Sequence, residues 1–238
     1  MDKPERIDKI LSNMGFGTRS KVKKLLKTGL VKVDGMCQTD GGVKVSPELN
    51  LITVDGKPIE YKKYIYLMLN KPKGYITATR DAHKTTVVDL VPEAYRHYNP
   101  FPVGRLDIDT EGLLFLTNDG ELAHRLLSPK KHVGKKYFVK LDKPVDDLVS
   151  QAFAEGVTID GGYVCLPAGL SVINGTEVEV ILTEGKYHQI KRMFQTLGIE
   201  VLYLKRIEMA GIRLDETLPP GEVRELFPEE VELILSSG

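Results

Sequence analysis

Hairpin-type turn signals recur along this chain too closely for a purely parallel sheet. Asp34-Gly35, Asp55-Gly56 and Asn118-Asp119-Gly120 each follow a short aliphatic run. An Asp-Gly pair supplies the positive-φ residues that join antiparallel strands in a tight turn. A crossover between parallel strands needs a dozen residues or more. Strand patterns fall at Val31–Val33, 51–54, 64–69, 113–117, 135–141, 176–182 and 201–207. Helical spacing of apolar residues falls at 5–12, 121–127, 145–155, 186–197 and 229–235, and in a segment that Thr18 caps and Gly29 ends. Interleaved in this way, these elements predict an α+β chain with a mixed, largely antiparallel sheet.

The first unit is expected to stop near residue 60, giving domains 1–60 and 64–238, with Lys57-Pro58-Ile59-Glu60-Tyr61-Lys62-Lys63 read as a linker. Apolar residues make up 42% of the 238 and charged residues 28%, which suffices for a real core. No run approaches the roughly 18 apolar residues of a membrane helix. The acidic start, MDKPERIDKI, does not read as a signal peptide, so a cytoplasmic protein is expected. Cys37 and Cys165 stand in no metal-ligand spacing, and neither a disulfide nor a metal site is predicted.

The net charge is zero, but its distribution is uneven. Residues 1–60 hold eleven Lys and Arg against eight Asp and Glu, a net of +3. In RSKVKKLLK (19–27) five of nine positions are basic. On a helix Arg19, Lys23 and Lys27 form one ridge, flanked by Lys21 and Lys24. Such a ridge can neutralise several phosphates; a solvated helix face has the same composition.

The segment from Gly104 to Gly112 places Asp107, Asp109 and Glu111 at alternating positions ahead of the apolar run LLFLT. Loops carried by a rigid sheet are where chemistry concentrates. A polar turn or a calcium loop would also use acids at this spacing.

Three further runs carry a resemblance. RIDKIL, GFGTRS and GLVKVDG, in that order within residues 3–60, resemble the S-four-type RNA-binding domain, which implies a grip on RNA shape and backbone. GRLDIDTEGLLFLTNDG resembles the active-site motif of the RsuA-type pseudouridine synthases. The similarity continues through His124-Arg125-Leu126, Ser128-Pro129, Lys135-Lys136-Tyr137, EGKYHQIKRMF (184–194), Arg206-Ile207, Gly211-Ile212 and LPPGE (218–222), with LNKPKGY (69–75) upstream. It covers nearly the whole chain.

That resemblance implies an rRNA pseudouridine synthase, an isomerase that breaks the bond between ribose and base nitrogen, turns the base and rejoins it through carbon. The reaction needs no cofactor and no metal. Asp107 takes the place of the family's catalytic carboxylate, while Asp109 and Glu111 are expected to shape the turn. A carboxylate in an enclosed pocket tends to protonate unless a cation faces it. By resemblance that cation is Lys191, where many relatives have arginine; Arg192 is the neighbouring candidate. Tyr137 matches the aromatic that stacks on the target base, and a uridine within a helix would have to be flipped out to reach it. Arg105 would fill the resulting gap, hold a phosphate or brace the loop, and His188 is expected to be structural. Lys130, Lys131, Lys135 and Lys136 form a second basic cluster, read either as phosphate contacts or as a solvated run.

The implied partner is ribosomal RNA: one uridine of the 16S 5′ domain, in free RNA or in an assembling small subunit, modified by a monomer without membrane contact. A 23S rRNA synthase, a ribosome-assembly protein that binds without turnover, and a sugar hydrolase with a second acid about 5–9 Å away are the competing readings.

Overall fold

In the computed structural model, which describes residues 3–237, Thr18 caps the helix Arg19–Lys27 by accepting the Lys21 amide at 3.4 Å. Its Val22 and Leu26 are buried with Ile7, Ile10 and Leu11 of the helix Ile7–Asn13. Val31–Val33 and Ile52–Val54 pair antiparallel and complete that core. Lys57-Pro58, read from sequence as the start of a linker, instead pairs with Thr53-Val54, because Asp55-Gly56 closes a hairpin there. Asp8 is buried and takes two hydrogen bonds from Arg6, at 2.7 and 3.0 Å, which hold its carboxyl below the usual range against the effect of burial. Residues up to Ile65 form one unit together with Glu93–Asn99, whose Tyr98 hydroxyl reaches the Met14 sulfur at 3.6 Å. Arg19, Lys23, Lys24 and Lys27 are all exposed on the second helix.

The other unit, Tyr66–Pro92 with Pro100–Gly238, is built on one large sheet. Its strands run in the spatial order Gly169–Asn174, Glu177–Leu182, Lys135–Leu141, Val201–Met209, Glu111–Thr117, Tyr66–Lys71 and Val223–Glu225. Every pairing along this path is antiparallel except one: Val201–Met209 and Glu111–Thr117 run parallel, with Arg206 opposite Gly112. The sheet is therefore mixed and mainly antiparallel, and the chain is α+β. The edge strands Gly169–Asn174 and Val223–Glu225 escape the sequence reading because neither has clean alternation. A core of Met68, Leu113, Phe115, Leu122, Leu126, Met209 and Ile234 packs the helices Gly120–Leu127 and Pro228–Ser236 on the sheet. Among the described residues no helix is long and apolar enough to cross a membrane.

Candidate active site

One row of registered residues crosses the sheet at its parallel seam: Lys71, Gly112, Arg206, Tyr137 and Val180 lie side by side. Residues directly opposite one another share a face, so Lys71, Arg206 and Tyr137 project on the same side. Gly112 lets the seam close. Its φ is +99°, and a Cβ there would lie 2.2 Å from the Arg206 carbonyl oxygen.

The acidic loop lies on this face, between Gly104 and Gly112, and segment 71–77 holds it from beneath. The Lys71 ammonium, with no exposed surface, donates to the carbonyls of Thr110 at 2.8 Å, Asp107 at 3.0 Å and Pro72 at 3.2 Å. Burial pulls its pKa down to about 8, against the charges of Asp109, Asp107 and Glu111. The Gly74 amide bonds the Ile108 carbonyl at 2.7 Å, and the Thr77 hydroxyl bonds both the carbonyl and the amide of Leu106. The sequence pattern reads Lys71 as the first residue of a turn. It is instead the last residue of a strand whose final five residues are buried, and its charge is consumed by the loop's carbonyls.

Asp107 faces a cavity of about 580 Å³, also lined by Lys135, Tyr137, Glu184, His188 and Arg206. That volume lies within the roughly 300–1,000 Å³ typical of small-molecule sites. Its carboxylate is 21% exposed, 3.5 Å from His188 Nε2 and 3.6 Å from Lys191 Nζ. Lys191 makes its close contact with Asp109, at 2.5 Å, so it serves both acids of the loop rather than Asp107 alone. Burial would raise the Asp109 carboxyl, but the hydrogen bond and charge of Lys191 bring it below its usual value. Glu111 accepts the Tyr203 hydroxyl at 2.7 Å, across the seam.

The remaining expected residues divide. Tyr137 is buried in the cavity wall and Arg105 is exposed at the cavity. Arg192 turns away from Asp107 to pair with Asp160, and its guanidinium lies 4.9 Å from the Tyr187 ring. Lys135 and Lys136 point in opposite directions, as neighbours on a strand must. Lys136 meets Glu179 at 3.5 Å. Lys135 lies on the Tyr137 side, inside the cavity and away from any outer basic face. Burial and the Arg206 charge lower its pKa to about 8, with Glu184 acting in the opposite sense. Lys130 and Lys131 are exposed in a short 3-10 turn.

Three cavity groups were not singled out from the sequence. Glu184 is buried and accepts from Tyr163 Oη at 2.7 Å, the Leu166 amide at 2.8 Å and Gln189 Nε2 at 2.7 Å. Gln189, just ahead of Lys191, thereby ties the helix Gln189–Thr196 to the cavity wall. Arg206 is 1% exposed, and its Nε donates to the Leu113 carbonyl at 2.7 Å. Arg206 stands beside two other charged residues of its strand, Lys205 and Glu208, so the sequence alone does not set it apart.

A half-buried carboxylate on a braced loop, facing a hollow of about 580 Å³ with an aromatic wall and several cations, is an arrangement suited to carboxylate chemistry on a flat polar ring. Comparison with known proteins narrows that chemistry. The RNA pseudouridylate synthase family model matches residues 65–196, and the S4 domain model matches residues 5–51. An uncharacterized RNA pseudouridine synthase of Bacillus subtilis, YtzG, is 47% identical over 96% of this chain and 98% of its own. Ribosomal small subunit pseudouridine synthase A of Escherichia coli K12 is 38% identical, covering 95% and 98%. A crystal structure of a pseudouridylate synthase superposes with a TM-score of 0.69 at 37% identity, over 96% of this chain and 99% of the other. The chain belongs to the RNA pseudouridine synthase family, in its RsuA-type branch, with an S4 RNA-binding domain in front.

Proposed function

We propose that this enzyme converts a single uridine in the 5′ domain of 16S rRNA to pseudouridine, with Asp107 as its catalytic carboxylate. The observation that carries the reading is the Asp107 carboxylate facing the same cavity as Tyr137, on a loop braced from below by Lys71. The choice of small-subunit RNA rests on relatives bearing that name, among them the Escherichia coli protein and a Yersinia pestis protein at 40% identity.

A target base inside an RNA helix is flipped out, at a cost of a few kcal/mol. Tyr137 then stacks on the ring. Asp107 acts at the sugar, by attack on a carbon, by stabilising cationic character or by taking a ribose proton. Lys191 sets its charge beside both Asp107 and Asp109. Arg105 takes the gap or a neighbouring phosphate. The S4 domain grips the RNA backbone through Arg19, Lys23, Lys24 and Lys27, and the protein acts as a monomer in the cytoplasm.

The test is incubation with 16S RNA carrying tritiated uridine, with tritium release timed and the product mapped. The expected result is one pseudouridine in the 5′ domain, and none with Asp107→Asn at unchanged fold. Turnover by Asp107→Asn would remove the mechanism. A product in 23S RNA alone would transfer the enzyme to the large subunit.

A further inference from the structure

Arg206 is an arginine fixed at one end and vacant at the other. Its Nε is engaged by the Leu113 carbonyl, while Nη2 is buried without a hydrogen-bond partner. A buried donor left unpaired costs about 1–3 kcal/mol, a burden that a ligand can relieve. A bulge sets this group in place. Lys136 pairs with Glu208 but Tyr137 pairs with Arg206, so the register slips by one and Ile207 is passed over. Without the slip Ile207 would stand opposite Tyr137, and the guanidinium would point to the other face. Lys135, two residues before Tyr137 on its strand, adds a second cation to the same wall. The cavity's buried carboxylate, Glu184, is already saturated by Tyr163, Leu166 and Gln189.

We propose that Arg206 and Lys135 form the subsite that receives the carbonyl oxygens of the uracil ring and holds the base as its anion while it is detached from the sugar. The proposal deepens the pseudouridine reading of this cavity and rests on it. When the N1–C1′ bond breaks, its electron pair stays with the base, and the charge spreads from N1 to the two carbonyl oxygens. Two fixed donors at those oxygens hold the free base without gripping N1 or C5, so the ring can turn over Tyr137. The C5–C1′ bond then forms, the C5 proton leaves and N1 takes one up, so atoms and electrons balance without an added reagent.

The probe is barbiturate, a pyrimidine that is an anion at neutral pH and carries carbonyl oxygens around a ring of uracil's size. Calorimetric titration of the full-length protein should give saturable binding to the wild type. Arg206→Gln and Lys135→Gln should each weaken it about 10–100-fold, the range for loss of a charge-assisted hydrogen bond. Single-turnover rates on RNA should fall by a similar factor while RNA affinity stays within about twofold, because neither group meets the phosphate backbone. Lys135→Gln leaves the Arg206–Leu113 bond intact and serves if Arg206→Gln does not fold. Barbiturate binding by both variants as tight as the wild type's, no saturable binding to the wild type, or unchanged single-turnover rates would overturn the subsite. Asp107→Asn separates the two claims: it should bind barbiturate and make no pseudouridine. A wild type that binds barbiturate through Arg206 yet leaves 16S RNA unmodified would sink the functional reading and spare the subsite.

Discussion

Replacing Gly112 with alanine tests whether the seam is as tight as its geometry implies. At φ +99° an alanine is strained, at a cost of about 1–3 kcal/mol. The added Cβ would sit 2.2 Å from the Arg206 carbonyl oxygen and 3.0 Å from the Arg206 amide nitrogen. Both are backbone atoms in a hydrogen-bonded strand, so the contact can be relieved only by parting the two strands. Overpacking of this kind adds about 1–3 kcal/mol. The sum, about 2–6 kcal/mol, is a large share of a typical stability of about 5–15 kcal/mol. At about 2–4 °C per kcal/mol for a chain of this size, the midpoint of thermal unfolding should drop by about 4–24 °C. Gly120→Ala is the matched control. It opens the helix Gly120–Leu127 with empty space where a Cβ would go, and should raise the midpoint slightly. Circular dichroism melts of the two variants beside the wild type decide the matter. A Gly112→Ala protein melting within about 2 °C of the wild type, on the same scale, would refute the argument.

Lys71 should make stability depend on alkaline pH. The folded lysine loses its proton near 8 and the unfolded one near 10.5, so between these values the unfolded state binds more protons and stability rises with pH. Denaturant titrations should find the wild type gaining on Lys71→Met, by an amount of order 1–3 kcal/mol, across that window; a constant difference would exclude it. Removing the like charge with Arg206→Gln should raise the Lys135 pKa from about 8, measurable by NMR titration of the lysine side chain. Changing Arg19, Lys23 and Lys27 together to glutamine should flatten the salt dependence of RNA affinity by about 0.7–0.9 per lost phosphate contact, with the rate at saturating RNA preserved.

Local chemistry made much of this legible in the sequence. Thr18 caps the basic helix because a hydroxyl there meets a free amide, and that rule needs no tertiary knowledge. The strand Lys135–Leu141 was visible from its alternation, and the acidic loop from its density of carboxylates between glycines. Partnerships between distant residues were not visible. Lys71 looks like a turn lysine until the loop 36 residues later folds over it. Lys135 and Lys136 read as one basic pair, yet strand pleat sends one into the cavity and the other to Glu179. Arg192 was placed one step around the helix from Lys191, and Asp160 draws it away. Nothing in Glu93–Asn99 announces that it gathers with the N-terminal unit. Arg206 depends on a one-residue bulge, which no periodicity records.

The parallel seam also bears on how the enzyme is made. It joins Leu113 to Arg206, 93 positions apart in the chain, whereas the hairpin of Gly169–Asn174 with Glu177–Leu182 closes over a few residues. During synthesis the S4 segment and the Asp107 loop emerge first, while the strand that supplies Arg206 and shuts the pocket is still to be translated. The cavity wall beside Asp107 is therefore complete only once the strand that carries Arg206 has been made.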